Sequence, residues 1–119
     1  MTATEIPPVP RHYTKTVAAR SFFARGTCEE FGVLVEFGEP IQDVPVVHGT
    51  DWRCPLRLTV GTDVTVRSIT GIDSFQALRL AIDLARVELE LIATRPGVVL
   101  FYLDEPIDTS KPDWLRAVV

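Results

Sequence analysis

The sequence predicts an α+β protein, an antiparallel β-sheet of four to five strands packed against one long α-helix. Three observations carry that prediction. From Gly71 to Thr94 the apolar residues recur at helical spacing. Before that stretch lie two pairs of alternating segments joined by glycine-containing turns. Hairpins of this kind leave one sheet face open for a helix to cover. With 119 residues the chain fits a single domain with its own core, residues 15–119. Residues 1–14 hold Pro7, Pro8 and Pro10, which deny them helix and central strand, so they form an extended or partly disordered arm.

The elements follow in order. Thr16 to Arg25 and Glu30 to Phe37 make a hairpin, the second strand alternating through Phe31, Val33, Val35 and Phe37 around a turn at Gly26 and Thr27. Gly38 to Asp51 carries Pro40, Pro45 and Gly49 and reads as a long connection with a short strand at Val46 and Val47, by position the functional loop. A second hairpin runs from Arg53, with Cys54, Leu56, Leu58 and Val60 on one face. It turns at Gly61, Thr62 and Asp63 and returns through Val64, Val66 and Ile69, with Arg57 and Arg67 toward solvent on one surface. Asp73 is the helix N-cap and Gln76 completes a capping box, while Pro96 and Gly97 end the helix. Those caps also explain Gly71, Asp73, Ser74 and Gln76, which otherwise resemble a site motif. A short apolar strand at Val98 to Leu103 precedes a tail in which Trp114, Leu115, Val118 and Val119 make a terminal turn that docks on the core.

The helix is more apolar than a sheet alone requires. Stepping about 100° per residue, its apolar arc spans roughly 240°, against the roughly 100° that a sheet covers. Either the C-terminal tail or a second chain covers the rest. Valine-rich edges at Val64 to Ile69 and Val98 to Tyr102 favour a two-fold homodimer. Arg79, Asp83, Arg86 and Glu90 make the solvated row, and Glu88, inside the apolar arc, needs a cationic partner or a raised pKa, an arginine partner or a flexible rim position being expected over a catalytic role.

Composition narrows the function classes. Sixteen acidic against twelve basic residues give a net charge of −4 with no basic run, so nucleic acid is not an expected partner. No apolar run reaches the roughly 20 residues of a membrane span, and the N-terminus lacks the pattern of a signal peptide, so the expected location is cytoplasmic. Cys28 and Cys54 are then reduced thiols. His12 and His48 lack metal-ligand spacing, and neither metal nor other cofactor is expected. No nucleophile with a base, phosphate loop or acid pair stands out, so no catalytic residue is assigned. The candidate binding residues are His48, Asp51, Trp52 and Arg53, a polar and aromatic cluster at the end of the 38–51 connection.

The segment DWRCPLRLTVG followed by GIDSFQALRLAIDL resembles the small bacterial proteins grouped as a domain of unknown function, DUF6968. In these a Trp-x-Cys-Pro segment precedes a Gly-x-Asp-Ser-x-Gln-Ala-Leu helix. The resemblance covers about residues 50–95 and implies no activity and no catalytic residue for this chain. The expected function is therefore a non-enzymatic, cytoplasmic protein-binding module, an immunity-type inhibitor of a toxin being one form of it. The alternatives are a structural homo-oligomeric module and a small enzyme with a site near the 43–54 loop.

Overall fold

A computed structural model describes residues 5–117, so residues 1–4 of the arm and Val118 and Val119 of the terminal turn lie outside the described residues. Seven strands and two helices follow the order β1 (Thr16–Arg25), β2 (Glu30–Gly38), β3 (Ile41–Val46), β4 (Gly49–Val60), β5 (Asp63–Gly71), α1 (Ser74–Ala93), β6 (Val99–Tyr102), β7 (Glu105–Pro106) and α2 (Trp114–Ala117). All strands join one antiparallel sheet, confirming the α+β class but exceeding the expected four to five strands.

The additional strands arise where the sequence reads as loop. Ile41–Val46 is a strand, with Val47 and His48 in a tight turn back to β4. It lies on the sheet edge, where Pro45 costs no inner ladder bond. The twelve residues of β4 hold β5 along one side, while the other side holds β2 beside Leu56–Val60 and β3 beside Gly49–Arg53. Pro55 falls in the gap between those two partners, so its missing N–H leaves no ladder bond unmade.

Helix α1 crosses the face of β4 and β5. Asp73 Oδ1 accepts from the Gln76 backbone N–H at 2.7 Å, and Gln76 Oε1 accepts from Ile72 N–H at 2.8 Å, so the cap forms with the glutamine reaching one residue further back than in the usual box. The buried stripe of α1 begins with Ala77, Ala81 and Ala85 and ends with Leu89 and Ile92. Small residues let its first turns lie close to the sheet. A Cβ on Gly71 would come within 2.6 Å of the Ala77 nitrogen, so this contact demands glycine. Gly97, at φ +74°, supplies the left-handed turn that leads from α1 into β6.

Beneath α1, Phe22, Val33, Val35, Leu56, Leu58 and Leu100 form the larger core cluster, and Cys54 packs with Ala77 and Ala81. Burial pushes the Cys54 thiol up to about 11. Cys28 is exposed and both cysteines are free thiols, as expected. Arg57 and Arg67 do not share a surface. Leu56 stands opposite Arg67 on the helix face, so Arg57, opposite Val66, points the other way. Arg67 reaches up to Glu88 at 2.9 Å, providing the arginine partner that this carboxylate required.

Candidate functional site

The expected binding cluster is pulled apart by strand geometry. His48 is exposed in the β3–β4 turn and Asp51 lies half-buried on β4. Trp52 packs on the helix face beside Cys54, Ala77 and Ala81. Arg53, one residue on, points to the opposite face, because neighbours on a strand alternate. The signal for this in the sequence is the period of two, which runs back from Cys54 to Trp52 and sets Arg53 on the other face. The proposed 43–54 loop is instead a pair of strands.

Arg53 is 0% exposed and forms a clamp. Its Nε and Nη2 donate to the two carboxylate oxygens of Asp43 on β3, at 2.7 and 3.1 Å. Its Nη1 donates to the His12 carbonyl at 2.9 Å and to Ser68 Oγ on β5 at 3.0 Å. Nη2 also stands 3.3 and 3.1 Å from the two ring nitrogens of His12. A point nearly equidistant from both would collide with Cε1 if it lay in the ring plane, so the guanidinium packs on the face of the imidazole. The guanidinium is therefore enclosed on every side by the protein itself. Arg53 ties β3, β5 and the arm to β4, and a ligand would have to displace one of them.

The arm is held a second time nearby. Arg57 Nε and Nη2 donate to Glu36 at 2.9 and 2.8 Å, and the guanidinium lies 4.1 Å from the centre of the Tyr13 ring. The bonds from Arg57 and from the Thr16 hydroxyl outweigh burial and hold the Glu36 carboxyl below its ordinary value. Thr14 Oγ1 donates to the Glu39 carbonyl, so at least this part of the expected arm is docked.

A concave surface lies on the other side of the sheet. A groove of about 610 Å³ runs between α1 and the start of α2 with the residues just before it. Phe75, Leu78 and Ile82 give it an apolar wall and floor, Pro112 and Leu115 form the facing wall, and Arg79, Asp83, Arg86 and Asp113 stand along it. Phe75 is 75% exposed, more than any other aromatic side chain among the described residues that remain unburied. The facing wall is fixed by Trp114, which is buried against Phe22 and donates from Nε1 to Glu90 at 2.9 Å. The same Glu90 oxygen accepts from Arg86 at 3.0 Å, so the wall and the rim charge share one carboxylate. The tail thus covers part of the flank of α1 that faces β1, and the groove is what it leaves open. The wide apolar arc signalled such a surface, but only the docking of Trp114 defines its second wall.

Among the described residues no three His, Cys, Asp or Glu side chains come together as metal ligands, and no helix is long and apolar enough to cross a membrane. A family model described as "Domain of unknown function (DUF6968)" matches residues 18–109, well over half of the chain. The chain belongs to the DUF6968 family. The DUF6968 match reaches from β1 to just beyond β7, wider than the 50–95 segment that carries the resemblance in sequence. It includes the α1 wall of the groove and Arg53, Asp43 and Ser68, whereas His12 and the Pro112–Leu115 wall lie outside it. No curated protein and no solved structure matches the chain.

Proposed function

We propose that this DUF6968 protein is a cytoplasmic, non-enzymatic binding module whose α1 groove receives an apolar segment of another polypeptide. The observation that carries the reading is Phe75, a large aromatic side chain left in water at the mouth of a groove lined by Leu78 and Ile82. Aromatic anchors beside an apolar trough with charges along its rim are the usual make-up of a polypeptide-binding surface. An immunity-type inhibitor, blocking a toxin through this surface, is one form of such a module. The enzyme alternative near residues 43–54 is less well supported, since Trp52 and Arg53 point apart and Arg53 is enclosed by its own partners.

The test is retention of a partner from the native cell by the tagged wild-type chain, compared with Phe75→Asp and Ile82→Asp. A protein bound by wild type and lost from both variants, with their unfolding midpoints near wild type, supports the groove. A partner held equally by all three places binding elsewhere and overturns the reading.

A further inference from the structure

Strand β5 is paired along only one side among the described residues, and its nine residues leave a long open edge. The β4–β5 hairpin closes on a two-residue turn with Val60 opposite Asp63. The closing pair of such a hairpin is hydrogen-bonded. The backbone groups of Asp63, Thr65 and Arg67 therefore point to β4, and those of Val64, Val66 and Ser68 point out from the edge.

That edge is complementary to itself. If β5 runs antiparallel to a copy of itself with Thr65 opposite the partner's Thr65, then Val64 stands opposite the partner's Val66 as a hydrogen-bonded pair. Both groups that must bond then face outward. On the helix face the same register sets Asp63 opposite the partner's Arg67, joining opposite charges at both ends. On the other face it pairs Val64 and Val66, which are 58% and 37% exposed in the single chain.

Helix α1 supplies the independent observation. Its flank toward β1 is covered in part by Trp114. Its flank toward β5, marked by the Glu88 contact to Arg67, carries Leu80, Leu84, Val87 and Leu91, with Val87 and Leu91 exposed. Strands lie about 4.8 Å apart, so a helix centred over β4 and β5 stands about one strand spacing from an axis at the β5 edge. Two copies would then run about 10 Å apart, an ordinary helix-packing distance. One axis thus pairs the open edge and buries the uncovered flank.

We propose that two copies of this chain join through β5 as a two-fold dimer centred on Thr65, with the two sheets continuous and the two α1 helices side by side. The α1 groove lies on the opposite flank and stays open, so the dimer and the proposed binding function stand or fall separately.

Light scattering coupled to size exclusion at micromolar concentration should give the mass of two chains for wild type and of one chain for Val64→Lys/Val66→Lys. Both valines are exposed, so the fold should tolerate the change. The register is tested by cross-linking in a Cys28→Ser background, which removes the exposed native thiol. Thr65→Cys should form a disulfide with its own copy under mild oxidation, because directly opposed non-hydrogen-bonded residues have the spacing that a disulfide needs. Thr70→Cys, displaced from its copy by many residues, should not. A one-chain mass for wild type overturns the proposal and leaves the edge to solvent or to another protein. A two-chain mass unaffected by the lysines, or equal cross-linking of both cysteine variants, overturns it by placing the contact elsewhere.

Discussion

The two faces of β4 bury neighbouring residues by opposite means. Toward α1, Trp52, Cys54, Leu56 and Leu58 pack against alanines and leucines, an apolar contact that needs shape more than direction. Toward the arm, Arg53 is as deeply buried as Cys54, yet Asp43, Ser68 and His12 enclose it, and Arg57 beside it binds Glu36 and covers Tyr13. A buried cation is tolerated there because no buried side-chain nitrogen or oxygen among the described residues lacks a partner. The apolar face is held by a helix continuous with the strand order, and the polar face by a short irregular segment that arginines pin in place.

Breaking one face should therefore leave a different signature from breaking the other. Arg53→Ala should cost about 3–5 kcal/mol, because it strands Asp43 and removes the donors that hold the arm. In the folded protein trypsin should then cut rapidly at Arg11 and Lys15, and unchanged cleavage would show that the clamp does not hold the arm. Leu56→Ala should cost about 2–5 kcal/mol through the cavity it leaves, read from the denaturant midpoint, with the arm still protected. Protection lost equally in both variants would mean that the two faces are not held separately.

Asp73→Ala, which loosens the start of the helix that seals the apolar face, should cost about 0.5–2 kcal/mol. An unchanged midpoint would show that the Gln76 contact to Ile72 caps the helix without it. The smallest effect belongs to the partly exposed Glu36–Arg57 pair on the polar face. Glu36→Gln should cost no more than about 1 kcal/mol at neutral pH. The Glu36 carboxyl in the folded protein lies below its ordinary value of 4.5, chiefly through the hydrogen bonds from Arg57. Its contribution is thus complete above that value and lost as pH falls through the lower one. Wild type and Glu36→Gln should converge in stability on acidification, and a gap that widens there would contradict the assignment.

What could be read in advance was local. The β1–β2 and β4–β5 hairpins, the Asp73 cap, the stop at Pro96–Gly97 and an arginine partner for Glu88 all follow from residues close in sequence or from a charge inside an apolar stripe. The misplaced parts were non-local. β3 looks like a loop because Pro40, Pro45 and Gly49 interrupt it, and it is a strand only because the far end of β4 offers it an edge. The candidate cluster is dispersed for a simpler reason: residues adjacent in sequence point to opposite faces of a strand, so Trp52 and Arg53 cannot share a site.

By itself the sequence determined the α+β class, the helix with its caps, and an apolar helix surface wider than one sheet can cover, because periodicity and capping are set within a few residues. Only the tertiary structure decided that Arg53 is a clamp rather than a ligand site, that Trp114 seals one flank of α1 and shapes the groove, and that β5 presents an open edge. Each of those depends on segments distant in the chain meeting at one place, and no local pattern specifies which segments meet.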